Sequence, residues 1–320
     1  MSRADARDAF LARAGWAGAS RAPLAGDASA RVYLRLHRAG ERAVLMDADP
    51  AQDSGTPAFL RMTHHLRALG YSAPEVLAED ATQGFLLLED LGDALFAPVI
   101  DADPAQEAPL YAAAADFLAD LHRHAPPPDL PLADADHLTG ITAPFFDTYL
   151  PIRATAPDPA FRAETETHIH ALLTALAGPP AFVLLRDFHA QNLLWLPDRT
   201  GLARVGLLDY QDARLGPADY DLASLLYDAR RDVTEATRAA TLRHYAQAAD
   251  RDRAAVSAAV AILAVQRNLR ILGLFETLAA KGKPGYLAHS PRVLRDLKTA
   301  LAHPALDALR ARLDPVLPDA

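Results

Sequence analysis

Two apolar runs, Phe182-Val183-Leu184-Leu185 and Leu193-Leu194-Trp195-Leu196, are separated by the polar stretch Arg186-Asp187-Phe188-His189-Ala190-Gln191-Asn192. A strand runs into Asp187, and Asn192 follows with four residues between, at the start of the next strand. A third apolar run, Arg204 to Leu208, ends on another carboxylate, Asp209. Asp198-Arg199-Thr200-Gly201 is a hairpin-type turn joining the last two runs. Asn192 therefore begins one strand and Asp209 finishes its antiparallel partner, at the same end of the hairpin. Polar side chains set between buried strands must be paired or put to use. The spacing gathers an Asp, an Asn and an Asp around one small volume. Mg²⁺ takes hard oxygen ligands, usually one or two from protein with the rest from phosphate and water. Asn192 and Asp209 can supply two, which leaves Asp187 to orient a hydroxyl and accept its proton.

Composition narrows the partners. The chain has 320 residues, 51% hydrophobic and 23% charged, which is ordinary globular usage with enough apolar mass for a sizeable core. Lys and Arg total 32 against 41 Asp and Glu, a net charge of −9. A nucleic acid is not an expected partner of so acidic a chain, because non-specific binding to one rests on a basic face. No cysteine is present, which excludes disulfide scaffolds, thiolate zinc sites and cysteine nucleophiles. No run of ~18 uninterrupted apolar residues occurs, so no membrane span is expected. Ser2 to Trp16 alternates Arg and Asp with apolar residues and reads as an amphipathic helix rather than a secretory leader, making the cytoplasm the expected location.

The first ninety residues read as a β-rich unit. Ala30 to Arg38 and Arg42 to Met46 form a hairpin about Ala39-Gly40. A helix spans Thr56 to Leu69, with Pro57 at its first position, an apolar face of Phe59, Met62, Leu66 and Leu69, and Gly70 as its stop. Val76 to Ala78 and Phe85 to Leu88 are further strands. Beyond Gly92 helices dominate: Leu110 to His124, Phe161 to Leu176, Leu222 to Tyr227, Ala236 to Ala248, Ala254 to Leu278 and Val293 to Leu301. The expected division is 1–92 and 93–320.

These residues bring a resemblance into view. Gly26-Asp27-Ala28-Ser29-Ala30-Arg31-Val32-Tyr33, Phe85 to Gly92, Arg186 to Asn192, Leu208 to Ala213, Gly216 to Leu222 and Gln266 to Arg270 occur in an order similar to the aminoglycoside-phosphotransferase and choline-kinase branch of the protein-kinase-like fold. Within that branch the chain most resembles the N-acetylmuramate/N-acetylglucosamine anomeric kinases of bacterial cell-wall recycling. The resemblance implies an α+β, bilobal protein-kinase-like fold, with a small β-rich nucleotide-binding lobe and a larger, mostly helical catalytic and substrate lobe. It implies ATP and Mg²⁺ as cofactors and a small sugar as substrate. Asp187 becomes the catalytic base, and Asn192 and Asp209 the magnesium ligands. Glu89 to Leu91 becomes the hinge that meets adenine through its backbone. Gly26, Asp27 and Ser29 become the loop over the phosphates, and Asp221 a structural carboxylate behind the catalytic loop. His189, Gln191, Gln211, Asp212 and Arg267 are the candidate substrate contacts.

Two positions depart from the family pattern. Leu185 stands where His usually precedes Arg-Asp. Met46 stands where the third-strand lysine usually grips the α- and β-phosphates, and the only lysines are Lys281, Lys283 and Lys298. A two-residue turn at Ala39-Gly40 pairs Met46 with Tyr33, and Arg31 and Arg35 then share that face of the sheet. Arg31 is the candidate replacement, since a guanidinium suits bidentate phosphate contact. Two rival readings follow: a sibling kinase for an aminoglycoside or choline-like acceptor, and a nucleotide-binding regulator without turnover. The paired histidines at 64/65, 122/124 and 168/170 sit one or two apart on helices and point to different faces, which disfavours metal binding.

Overall fold

Ala39 and Gly40 both take positive φ, 48° and 86°, the geometry by which a two-residue turn matches the twist of its strands. That turn fixes the register of the first hairpin and, through it, of the first sheet. The computed structural model describes residues 2–24, 31–153, 159–176 and 182–318. Its elements begin with α1 (Arg3–Arg13), β1 (Ser20–Pro23), β2 (Val32–Arg38), β3 (Glu41–Asp47), α2 (Thr56–Ala68), β4 (Val76–Asp80) and β5 (Phe85–Glu89). They continue with α3 (Phe96–Ala102), α4 (Glu107–Leu121), α5 (Ala135–Gly140), a π-helical turn at Phe145–Tyr149, α6 (Leu150–Arg153) and α7 (Pro159–Leu176). Then come β6 (Phe182–Leu184), β7 (Leu193–Trp195), β8 (Val205–Leu207), β9 (Arg214–Gly216), α8 (Tyr220–Leu226), α9 (Glu235–Ala248), α10 (Arg253–Ala280), α11 (Ser290–Leu301) and α12 (Asp307–Leu313).

The chain forms two compact units. One holds Met1–Leu95 with Asn192–Asp212, the other Phe96–Gln191 with Ala213–Ala320. The sequence suggests a single cut near residue 92. The β7–β8 hairpin joins the first unit because its backbone is bonded there: Leu207 N–H donates to Ser72 O at 3.0 Å and Trp195 N–H to Ala94 O at 2.7 Å. Its connecting segment adds Arg199, which donates to Ser72 Oγ at 2.6 Å and to Glu89 Oε1 at 2.5 Å.

The first unit is built on an antiparallel sheet of order β1-β2-β3-β5-β4. Tyr33 pairs with Met46, as the turn requires. One face is covered by α1, which starts at a reciprocal Ser2/Asp5 cap. Phe10, Leu11 and Trp16 pack there with Leu36, Leu45, Phe85 and Leu87, and Phe10 stacks on Phe85 with centroids 5.6 Å apart. In α2, Phe59, Met62 and Leu66 are buried, and Gly70, at φ 86°, follows its end. β1 is an added edge strand whose four residues are all exposed, so it carries no apolar alternation for sequence reading to find.

The second unit is organised around α10. Among the described residues it is the one helix long and apolar enough to cross a membrane, but 83% of its most apolar window is buried in the unit's own core. Such a helix is hydrophobic all round because it is surrounded by protein. It packs on α8, α11 and the π-helical turn. Gly273 makes the last contact possible: a Cβ there would lie 2.2 Å from Pro144 C and 2.3 Å from Phe145 N. Thr148 Oγ1 reaches across to Gly273 O at 3.0 Å. A two-stranded ladder pairs β6 with β9, Leu184 opposite Arg214.

Because Gly273 meets backbone rather than a flexible side chain, Gly273→Ala is expected to cost at least about 2 kcal/mol of stability. Urea unfolding reads this as a lower midpoint at unchanged slope. A midpoint equal to wild type would mean that the helix and the π-helical turn are not in backbone contact.

Candidate active site

The metal-ligating candidates lie at the open end of a short ladder. β7 and β8 pair Leu193 with Leu207, Leu194 with Gly206 and Trp195 with Val205. Leu208 N–H extends the pairing by donating to Asn192 O at 2.9 Å. Asn192 and Asp209 follow directly, and Asn192 Nδ2 faces Asp209 Oδ2 at 3.4 Å. Gln211 Nε2 donates to the other oxygen, Asp209 Oδ1, at 2.8 Å. Asp209 takes a left-handed φ of 58°, and its neighbour Tyr210 is fully buried. Tyr210 stacks on Phe59 at 5.2 Å and shares a 2.7 Å hydrogen bond with Thr63 Oγ1. That anchor leaves Asp209 exposed while its neighbour is fixed. Among the described residues no three His, Cys, Asp or Glu side chains converge on a metal site. A pair of oxygen donors, one of them anionic and exposed, fits Mg²⁺ held mainly through phosphate and water.

Asp187 sits on a loop whose backbone is gripped from both sides. The buried Asp221, in the first turn of α8, accepts Leu185 N–H at 2.6 Å and Arg186 N–H at 2.8 Å. Arg267 of α10 donates to Arg186 O at 3.2 Å and to Ser224 Oγ at 2.5 Å, with its guanidinium 4.8 Å over the Tyr220 ring. Arg186 is thereby held at φ 71°, a conformation that costs a non-glycine residue energy and persists only where neighbours impose it. Burial pushes the Asp221 carboxyl up to about 6, although its two backbone donors and the Arg267 charge favour the anion. Leu185, at the family's histidine position, is buried apolar packing. Phe188 stacks on Phe117 at 5.7 Å, and Ala190 O accepts Ala97 N–H at 3.0 Å.

The remaining second-unit candidates divide by exposure. His189 is buried, which pulls its imidazole below the usual range, and it also feels the charges of Asp228, Arg230 and Asp187. Gln191 is exposed, and its Oε1 accepts Arg230 Nη1 at 3.2 Å. Arg267, a candidate substrate contact in the sequence, is 5% exposed, with Nη1 on the loop carbonyl of Arg186 and Nη2 on Ser224 of α8.

In the first unit the missing lysine leaves Met46 fully buried. The nearest cation in sequence register is Arg31, also buried, which forks onto Asp53 with Nε–Oδ2 2.7 Å and Nη2–Oδ1 3.2 Å. Asp53 Oδ1 also accepts Gly55 N–H at 2.7 Å, just before α2. Tyr33 hydrogen-bonds the same guanidinium; burial pushes its phenol up, Arg31 opposes this, and Asp209 and Asp53 add to the rise. Arg35 is drawn instead to the segment after β5, with Nη2–Asp90 Oδ1 3.0 Å and Nη1–Asp93 Oδ2 2.9 Å. In the hinge segment Glu89 is tied to Arg199, and Asp90 also caps Gly92 N–H at 3.0 Å, with half-buried Leu91 between them. Asp212 is exposed. Gly26, Asp27 and Ser29 lie outside the described residues.

Sequence reading missed Tyr33 and Asp53. Tyr33 had a signal, since its register partner Met46 marks the lysine position. Asp53 is 22 residues from Arg31, across a turn with no pattern of its own.

Comparison with known proteins identifies the family. Residues 20–258 match the phosphotransferase enzyme family. The N-acetylmuramate/N-acetylglucosamine kinase of Caulobacter vibrioides is 39% identical, covering 99% of this chain and 97% of its own. That of Pseudomonas aeruginosa is 33% identical over 88% of this chain and 83% of its own. Among solved structures, a choline/ethanolamine kinase family protein from Mesorhizobium loti superposes with a TM-score of 0.67 at 16% identity, covering 98% of this chain and 99% of that one.

The Asp221 clamp makes a pH-dependent prediction. Its carboxyl sits at about 6 when folded and 3.8 when free. The folded state therefore takes up the proton first as pH falls. Stability from this group is fully present below 3.8 and is lost as pH rises through about 6, a span of about 3 kcal/mol. Asp221→Asn removes that slope, so urea midpoints measured from pH 4.5 to 7.5 should diverge from wild type toward the acid end. Parallel curves would show that the carboxylate is not buried.

Proposed function

Since the chain belongs to the phosphotransferase enzyme family, we propose that it is an ATP-dependent kinase that phosphorylates the anomeric hydroxyl of an amino sugar, N-acetylmuramate or N-acetylglucosamine. The observation that carries the acceptor is the near full-length identity of 39% to a kinase of that name. The sequence pattern of Asp187, Asn192 and Asp209 supports the chemistry. In this reading residues 1–92 supply the nucleotide contacts and 93–320 the acceptor site and base. A donor drawn from the cellular ATP pool places the reaction in the cytoplasm.

Asp187 is the proposed base. The clamp on Arg186 fixes the backbone just before it, so its carboxylate meets the acceptor hydroxyl in one orientation. An anomeric hydroxyl is more acidic than other sugar hydroxyls and needs only modest help. Most of the rate then comes from alignment and charge neutralisation. Asn192 and Asp209 would hold Mg²⁺, which when bound neutralises phosphate charge; Gln211 keeps the Asp209 carboxylate oriented. Glu89 and Asp90 are committed through their side chains to Arg199 and Arg35. That fits a hinge reading adenine through backbone groups from Glu89 to Leu91. Gly26, Asp27 and Ser29 are proposed to contact the phosphates, and His189, Gln191 and Asp212 to line the acceptor side.

Arg31 is proposed to take the lysine's part. Asp53 and Tyr33 hold its guanidinium in place, much as a lysine is held by an acidic partner in kinase-like enzymes. Arg31→Ala should raise KM for ATP by about 10- to 100-fold, as expected for loss of a charged hydrogen bond. Unchanged nucleotide affinity and turnover would remove Arg31 from the site.

The function itself is tested with ATP, Mg²⁺ and a sugar panel followed by phosphorus NMR. The expected product carries phosphate on carbon 1 of N-acetylmuramate or N-acetylglucosamine. Asp187→Asn should lower kcat by about 10²- to 10⁴-fold with nucleotide binding retained. Transfer only to choline or an aminoglycoside would replace the acceptor, and binding without transfer would replace the activity.

A further inference from the structure

The second unit gathers several arginines around the segment that carries Asp187. Arg186 precedes Asp187 directly. Arg267 of α10 reaches the Arg186 carbonyl, and Arg270 follows one turn later on the same helix, on the same side. Gln266 Nε2 donates to Leu138 O at 2.7 Å, which seats this stretch of α10 against α5 and so against His137. Arg214 faces Leu184 across the β6–β9 ladder, two residues before Arg186, and donates to Leu132 O at 3.0 Å.

These groups act on one another. Burial lowers Arg270, and the Arg186 and Arg267 charges lower it further against the pull of Tyr220 and Asp187. Burial likewise lowers His137, joined by Arg214, Arg186 and Arg270 and opposed by Asp134. Arg267 donates through Nη1 to the Arg186 carbonyl and through Nη2 to Ser224 Oγ on α8. The Arg186 and Arg270 side chains, both half-buried, have no ion-pair or hydrogen-bond partner among the described residues. Two guanidinium groups side by side, out of full solvent and without an ion pair of their own, repel unless an anion joins them. A planar carboxylate matches their fork geometry.

We propose that Arg186 and Arg270, with His137 beside them, form a carboxylate-recognition subsite for the acceptor sugar, selecting an amino sugar that carries an acidic ether substituent. The inference rests on the sugar-kinase reading and deepens it. Of the two acceptors named above, N-acetylmuramate bears such a carboxylate and N-acetylglucosamine does not. The subsite adjoins the residue proposed as base, so a sugar held there by its acidic arm is held near the reacting hydroxyl. Arg267 then serves as a positioning residue, fixing the Arg186 backbone while Arg270 meets the ligand.

The experiment compares kcat/KM for N-acetylmuramate and N-acetylglucosamine in wild type, Arg270→Gln and Arg270→Lys. The ratio of the two should fall about 10- to 100-fold in Arg270→Gln and recover in part in Arg270→Lys. A merely structural arginine would depress both sugars alike and leave the ratio unchanged, which would overturn the proposal. Wild-type enzyme supplies a second measurement that does not depend on a variant folding: the methyl ester of N-acetylmuramate should lose about tenfold or more in kcat/KM against the free acid. An ester as good as the acid overturns the subsite. Transfer to neither sugar overturns the kinase reading, and the subsite with it. A rise in KM for ATP in Arg270→Gln, with the sugar ratio intact, assigns the arginines to the phosphates and overturns the carboxylate role.

Discussion

The chemistry proposed for the second unit depends on one buried carboxylate. Asp221 accepts the backbone N–H groups of both Leu185 and Arg186, which no strand or helix otherwise satisfies. An unmet buried N–H carries a full desolvation penalty, so the loop cannot leave this geometry cheaply. Arg267 completes the grip from the carbonyl side and offsets part of the cost of burying Asp221. The strained φ of Arg186 is the visible cost of the arrangement. It fixes the backbone on which Asp187 sits.

The first unit solves a different problem with the same means. Under the proposed function it presents a cation to phosphate without the usual lysine. Arg31 lies one residue before β2, whose Tyr33 pairs with Met46, and its fork is occupied by Asp53 and steadied by Tyr33. The exchange is not neutral. A lysine is a mobile point charge, whereas a guanidinium anchored at two oxygens is fixed in plane and direction. A second network, Arg199 with Ser72 and Glu89, ties the turn of the β7–β8 hairpin to the end of β5. Asn192 and Asp209 therefore keep their place relative to β5.

Much of this was legible because it is local. The Ala39-Gly40 turn gives the Tyr33–Met46 register, and Pro57 and Gly70 bracket α2. The meeting of Asn192 with Asp209 follows from hairpin geometry alone. What escaped reading is what the chain closes over long distances. β9 is three residues long and pairs with β6 some thirty residues earlier, with no turn between them to announce it. β1 is exposed throughout and has no alternation. The return of Asn192–Asp212 to the first unit depends on backbone bonds to Ser72 and Ala94, to which side-chain pattern is blind. Arg267 read as a substrate contact because arginine near a catalytic loop suggests one; its bonds to a backbone carbonyl and to Ser224 carry no sequence signature.

The buried Met46 and the guanidinium beside it have a practical consequence. All three lysines lie at or beyond residue 281, so the elements proposed to bind nucleotide contain no lysine amine. Acylating nucleotide analogues, which tag kinase-like proteins by transferring an acyl group to that amine, find no nucleophile here, because a guanidinium stays protonated at any usable pH. Surveys of nucleotide-binding proteins that rely on such tagging would pass over this chain, even with its site fully occupied.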